Sequence, residues 1–78
     1  MVDDFWKRIK LALVIRGIDS LKTLCEENAI SYQTMLNEKS LHIYPPVSVL
    51  ITLSKALDCS VDWLLFGEAE VPGAPRIS

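Results

Sequence analysis

The fold is decided by the stretch Ser20-Leu-Lys-Thr-Leu-Cys-Glu-Glu-Asn-Ala-Ile-Ser-Tyr-Gln-Thr-Met-Leu-Asn37. Its first half carries apolar residues at helical spacing, namely Leu21, Leu24 and Cys25. Ser20 precedes them, and its hydroxyl can accept a hydrogen bond from an unpaired amide of the first helical turn. Asn28-Ala29 interrupts the pattern, because asparagine tolerates positive φ and often ends a helix. This half therefore predicts one short helix with a defined start and end.

The second half of the stretch predicts another short helix, at about Ser31–Lys39. Ser31 is a second N-cap residue, and the apolar Ile30 before it can pack against Met35 as a hydrophobic staple. Each helix has only about two turns, which is too short for stability in isolation. The two helices must therefore lie across one another on a tight turn.

These residues resemble the helix-turn-helix domains of the phage repressor and Cro-like (XRE-type) family. That family places apolar residues at the fourth, tenth and fifteenth positions of the motif and small residues at the fifth and ninth. Counted from Leu21, the five positions hold Leu24, Ile30, Met35, Cys25 and Ala29. Pro45-Pro46 and the segment Lys55–Gly67 are similar to the family's later pattern, so the resemblance covers about Phe5 to Gly67. It implies an all-α, lambda-repressor-like compact bundle of about five short helices with a central helix-turn-helix.

The resemblance also implies a function, that of a sequence-specific DNA-binding transcriptional regulator, by type a repressor. Such domains bind palindromic double-stranded operators as homodimers, with recognition helices about 34 Å apart in the major groove. The outward residues of the second motif helix are then the base-readout candidates: Ser31, Tyr32, Gln33, Leu36 and Asn37. Glutamine and asparagine can bond an adenine edge in two places, and leucine can meet a thymine methyl. The phosphate-binding candidates are Lys22, Thr34, Lys39 and His42.

The N-terminal segment predicts a first helix that is apolar on more than one face. Asp3 or Asp4 can cap it and Gly17 ends it, with an inward face of Phe5, Ile9, Ala12 and Leu13. Leu11, Val14 and Ile15 form a second apolar set. In so small a domain this second set either covers a partner or consists of tolerated exposed side chains. The first reading predicts a dimer surface formed by Leu11, Val14, Ile15, Leu65 and Phe66.

The chain after the motif predicts a loop, two helices and a tail. The prolines of Leu41–Pro46 exclude helical geometry, so His42 lies on a loop surface and Tyr44 packs. Pro46 or Val47 begins a fourth helix, whose inward residues are Leu50, Leu53, Ser54 and Leu57. Ser60 caps a last helix from Val61 to Phe66 that ends at Gly67, and Trp63 and Leu64 close the core. We expect one domain at residues 1–67 and a flexible tail at 68–78.

Composition limits the class of protein. A chain of 78 residues forms one domain, and although half of them are hydrophobic, no run reaches the roughly 20 apolar residues of a membrane helix. The start, Met-Val-Asp-Asp, is acidic where a signal peptide needs basic residues. We therefore expect a cytoplasmic protein without a membrane partner.

The reactive side chains predict no catalytic or metal site. One histidine and two cysteines are present, and Cys25 and Cys59 both lie on helical apolar faces, as packing residues do. No phosphate loop and no pairing of a nucleophile with a base is recognisable. The chain is therefore predicted not to be an enzyme, with no cofactor, no metal and no evident small-molecule substrate.

A second hypothesis is a degenerate helix-turn-helix domain that serves as a protein-interaction or dimerisation module without specific DNA binding. Leu21 replaces the polar residue that often opens the motif, and Asn28 and Glu38 occupy positions that are usually apolar. The net charge of −2 is also unfavourable for a DNA-binding protein, since phosphate attraction needs a basic face. Both hypotheses share the same fold and differ in the role of the second motif helix.

Overall fold

The computed structural model describes residues 2–67, and this part of the chain is all-helical. The helices are α1 (Val2–Arg16), α2 (Leu21–Glu27), α3 (Tyr32–Ser40), α4 (Val47–Leu57) and α5 (Val61–Phe66). The predicted all-α bundle of five short helices is confirmed, and the bounds of α5 coincide with the prediction. The tail predicted at residues 68–78 lies outside the described residues.

The core is formed where α1 packs against α4 and α5, with α2 and α3 packed against each other beside it. Its largest fully buried side chains are Phe5, Ile9, Leu24, Met35, Leu53, Leu57 and Leu64. The predicted inward faces of α1 and of α5 are confirmed, because every residue named for them is buried. Of the predicted inward residues of α4, Ser54 alone is only half-buried, and its hydroxyl donates a hydrogen bond to the Ile51 carbonyl.

Three serines begin the three helices that follow tight connections. The hydroxyls of Ser20, Ser31 and Ser60 accept hydrogen bonds from the backbone N–H three residues later, at 3.2, 3.2 and 3.0 Å. Each serine thereby satisfies one of the amides that a helix leaves unpaired at its start. The N-caps predicted from the sequence are confirmed at all three positions.

The first four helices end alike, in a residue of left-handed conformation followed by a hydrogen bond that spans five residues. The left-handed residues are Gly17, Ala29, His42 and Asp58, with φ values of 68°, 56°, 56° and 51°. The next residue donates its N–H to the carbonyl five positions earlier, over 2.9–3.0 Å at Ile18, Ile30, Ile43 and Cys59. This is the Schellman motif, in which an apolar residue follows the left-handed one.

The end of α2 differs in detail from the prediction. The helix ends at Asn28-Ala29 as expected, but Asn28 has φ of −118° and Ala29 takes the positive φ. Asn28 instead donates its side-chain amide to the Leu24 carbonyl over 2.8 Å. A left-handed alanine costs about 1–2 kcal/mol relative to glycine, so this turn carries strain.

Two arginines of α1 hold the C-terminal ends of α4 and α5. Arg8 donates to the carbonyls of Leu64 and Leu65 at 3.0 and 2.8 Å. Arg16 donates to the Leu57 carbonyl at 3.0 Å and forms an ion pair with Asp58 at 2.9 Å. A cation at a helix C-terminus satisfies unpaired carbonyls and opposes the negative end of the helix dipole. Both guanidinium groups are therefore structural.

The two cysteines are buried free thiols, as expected for packing residues. Burial raises the pKa of both, and that of Cys59 reaches about 11 although the charge of Arg16 opposes the shift. Across residues 2–67, no helix combines the length and the hydropathy needed to cross a membrane. Nor does this range bring three His, Cys, Asp or Glu side chains together in a metal-binding group.

Candidate nucleic-acid interface

Only one side of α3 packs against the rest of the bundle. Met35 is 1% exposed, and Ile30 in the connection before the helix packs half-buried against the same core. Because α3 contacts α2 across a connection of four residues, 28–31, the direction of its outer face is fixed by α2 and by the core together. The orientation of the outer face of α3 relative to the rest of the bundle is therefore fixed.

The five residues predicted for base readout do not all lie on that outer face. Ser31, Gln33 and Asn37 are exposed, but Tyr32 and Leu36 are half-buried, and Tyr32 packs against the core. Successive residues of a helix are rotated by about 100°, which places Tyr32 about 60° and Leu36 about 100° from Met35. Tyr32 therefore does not point outward as expected, because it packs against the core, whereas Leu36 is half-buried at the edge of the outer face.

The outermost polar side chains of α3 are joined to one another. Gln33 donates its amide N–H to Asn37 Oδ1 over 3.2 Å. At the start of the helix, the Ser31 hydroxyl oxygen accepts from both the backbone N–H and the hydroxyl of Thr34, at 3.2 and 3.0 Å. Since Ser31 accepts both bonds, its own hydroxyl hydrogen remains a donor for a phosphate oxygen.

The predicted phosphate-binding residues lie on α2, on α3 and in the loop that follows α3. Lys22 lies in the first turn of α2, Thr34 in the first turn of α3 and Lys39 in the last turn of α3. Both lysines are exposed and form no ion pair within residues 2–67. His42 is on the exposed loop as predicted, but its Nδ1 lies 2.7 Å from Asp3 Oδ1 of α1. The histidine is thus engaged with an acid rather than open to an anion.

Acidic side chains on α2 and α3 reduce the positive electrostatic potential of the candidate interface. Glu26 and Glu27 are exposed on α2, while Glu38 is half-buried on α3. The Oε1 atom of Glu38 is buried without a hydrogen-bond partner, in a cleft of about 300 Å³ between the 28–31 connection, α3 and α4. Because Arg8 and Arg16 are bound to helix ends, the exposed positive charge within the described part of the chain comes from lysines.

The predicted dimer surface is apolar and largely exposed. The exposed fractions of Leu11, Val14, Ile15 and Phe66 are 47%, 72%, 41% and 64%, while Leu65 is half-buried against the core. Arg8 ties the end of α5 to α1. Leu11 and Ile15 lie within about 60° of Arg8 around α1 and so face the side of α5, whereas Val14 lies about 120° away. Val14 additionally lines a cleft between α1 and α2.

For residues 2–67, the structure establishes a class of fold, a small all-helical bundle. Comparisons with protein-family models, with curated proteins and with solved structures found no match to the chain. The function is therefore inferred from the residues and geometry of the candidate interface.

Proposed function

We propose that the chain is a sequence-specific DNA-binding transcriptional regulator, a repressor by type, which inserts α3 into the major groove. The observation that carries this proposal is the hydrogen-bonded pair of Gln33 and Asn37, which are exposed on the side of α3 opposite the buried Met35. An α-helix fits the major groove, and carboxamide side chains at its outer face can bond the N6 and N7 atoms of adenine. The preferred site therefore contains adenine at the positions under these two residues.

Contacts to the DNA backbone fix the register of such a helix. Ser31 supplies a hydroxyl donor at the start of α3, where the helix dipole also favours an anion. Lys22 and Lys39 are exposed lysines of α2 and α3 and supply positive charge on the two motif helices. Phosphate contacts from these three residues are fewer than many DNA-binding proteins make, so we expect a shallow dependence of affinity on salt.

Binding as a homodimer completes the proposal. The exposed apolar residues of α1 and α5 include Leu11, Ile15 and Phe66. A second copy of the chain that binds here would remove these side chains from water. A two-fold pair would present two α3 helices to half-sites one helical turn apart on a palindrome. Dimerisation then doubles the number of phosphate contacts without adding basic residues to either chain.

The test is selection from a random duplex library, followed by affinity measurement at two salt concentrations. The proposal predicts an enriched palindrome whose binding weakens with salt. The control is the double variant Gln33→Ala/Asn37→Ala, in which two exposed side chains are shortened and the core is untouched. A folded sample that enriches no sequence, or a control that enriches the same palindrome equally well, would contradict the proposal.

A protein-interaction module without DNA reading is the second candidate. It is favoured by the engagement of both Arg8 and Arg16 with helix ends, since arginine is the commonest reader of guanine. The acidic residues of α2 favour it as well. A sample that forms a stable dimer or captures a partner, but shows equal and salt-insensitive affinity for every duplex, would establish this alternative.

A further inference from the structure

A cleft of about 260 Å³ lies between α1, the turn before α2 and the last turn of α3. Its walls are mainly apolar, with Trp6, Ile9 and Leu13 from α1 and Leu21 from α2. The cleft is on the opposite side of α1 from the Arg8 contacts to α5, because Lys10 and Leu13 lie about 140–160° around the helix from Arg8. None of the base-readout residues lines it, whereas Val14 of the predicted dimer surface and Lys39 of the predicted phosphate-binding residues do.

Trp6, one of the residues that line the cleft, has a hydrogen-bond donor without an acceptor. Trp6 is 6% exposed, and its Nε1 is a buried atom with no hydrogen-bond partner. An indole N–H can only donate, and buried donors in folded proteins are nearly always paired. A ligand oxygen that reaches this N–H after a small rotation of the indole would therefore give it the hydrogen-bond acceptor that it lacks.

The rim of the cleft carries two lysines and one acid. Lys10 from α1 and Lys39 from α3 are exposed lining residues, and neither forms an ion pair with any residue in the range 2–67. Asp19 in the turn is the acidic lining residue, so the rim has a net charge of about +1 at neutral pH. Unpaired cations above an apolar wall suit a ligand that has an anionic head and an apolar body.

From the apolar walls, the unpaired indole N–H and the two lysines, we infer that this cleft binds a small amphipathic carboxylate. A cavity of about 150 Å³ holds benzene, so the larger volume here suits an apolar body of about eight carbons. The carboxylate lies between Lys10 and Lys39, where one of its oxygens accepts from the Trp6 indole N–H, and the body lies along Ile9, Leu13 and Leu21. This site goes beyond DNA reading and does not depend on it.

Octanoate is the probe, and the two indole N–H signals in a ¹H–¹⁵N correlation spectrum of the whole chain are the readout. Trp6 lines the cleft, whereas Trp63 lies in the core on α5 and serves as an internal control. We expect octanoate to shift the Trp6 signal saturably and to leave the Trp63 signal in place. Octanol and octylamine have the same chain without the negative charge, so they should shift Trp6 only at higher concentration.

Matched lysine variants separate a built site from surface adsorption. Lys10→Gln and Lys39→Gln should each weaken octanoate binding about two- to fivefold, as expected for exposed charge pairs. Lys55→Gln, an exposed lysine of α4 outside the cleft, should leave it unchanged. Equal shifts from all three probes, shifts of both tryptophans, equal effects of all three variants, or no shift at all would overturn the inference. Because no DNA is present, the outcome is independent of the proposed regulator function.

Discussion

Gln33 and Asn37 are hydrogen-bonded to each other across one turn of α3, with Gln33 Nε2 donating to Asn37 Oδ1 over 3.2 Å. The bond orients both amide groups on the exposed face before any ligand binds. It leaves the Gln33 carbonyl oxygen and the Asn37 amide hydrogens directed away from the pair. A preordered pair of this kind loses less side-chain entropy on binding than two free amides.

The first prediction concerns this pair. Gln33→Ala and Asn37→Ala should each reduce affinity for the selected palindrome by about 1–3 kcal/mol and relax the preference for adenine. Because each residue orients the other, the double variant should lose less than the sum of the two single losses. Fluorescence anisotropy at fixed salt measures all four proteins, and circular dichroism checks that the fold is kept. Strictly additive losses would show that the two amides act independently.

The second prediction concerns the strained turn between α2 and α3. Ala29 has φ of +56°, a conformation that glycine adopts without steric cost. Ala29→Gly should therefore raise the free energy of unfolding by about 1 kcal/mol, measured by urea denaturation. The matched control is Ala56→Gly inside α4, which should lower it by about 0.5–1 kcal/mol. Destabilisation by both changes would mean that the strain at Ala29 is negligible.

The third prediction concerns Glu38, whose Oε1 is buried without a partner. Glu38→Leu removes the unsatisfied oxygen and extends apolar contact between α3 and α4, so it should stabilise the fold by about 1 kcal/mol. Glu27→Leu replaces an exposed glutamate on α2 and should change stability by less than about 0.5 kcal/mol. Thermal or urea unfolding of the two variants gives the comparison. If Glu38→Leu is the less stable of the two, the carboxylate has a partner that supports the fold.

Local sequence signals predicted the helices well, because their causes are local. The serine caps at positions 20, 31 and 60 act within three residues, and apolar periodicity identified the core faces of α1, α4 and α5. The left-handed residues Ala29, His42 and Asp58 were not predicted, because none is glycine. Their signal is the apolar residue that follows each one, as in the Schellman motif. Ile30 packs partly against the core and Cys59 is buried, whereas Ile43 is 45% exposed.

The candidate site was less predictable, because it depends on contacts between distant parts of the chain. Helical spacing shows which side of α3 is buried but not how wide the buried side is, so Tyr32 was expected to be exposed although it packs against the core. The arginine contacts of α1 and the cleft beneath Lys10 and Lys39 join segments far apart in sequence. Such pairs leave no periodic pattern in a single sequence.

The fourth prediction concerns Arg8, which links α1 to the end of α5. Arg8→Ala removes two hydrogen bonds to the carbonyls of Leu64 and Leu65 and should destabilise the fold by about 1.5–3 kcal/mol. Arg8→Lys should recover only part of this loss, since an ammonium group does not reproduce the guanidinium fork. Lys7→Ala, at the exposed neighbouring position, should stay within about 0.5 kcal/mol of the parent protein. Equal unfolding curves for Arg8→Ala and Lys7→Ala would contradict the prediction.

The fifth prediction tests the dimer surface. Leu11 is 47% exposed on α1, so Leu11→Lys places a charge on the proposed interface without entering the core. Burying that charge against its symmetry mate is costly, and the dimer should therefore dissociate to monomers in sedimentation equilibrium. Val47→Lys is the matched control, because Val47 is 69% exposed at the start of α4, away from the α1 and α5 residues of the surface. If Leu11→Lys sediments like the parent protein while Val47→Lys dissociates, the interface lies near α4 instead, and if both sediment as the parent dimer, neither helix forms it.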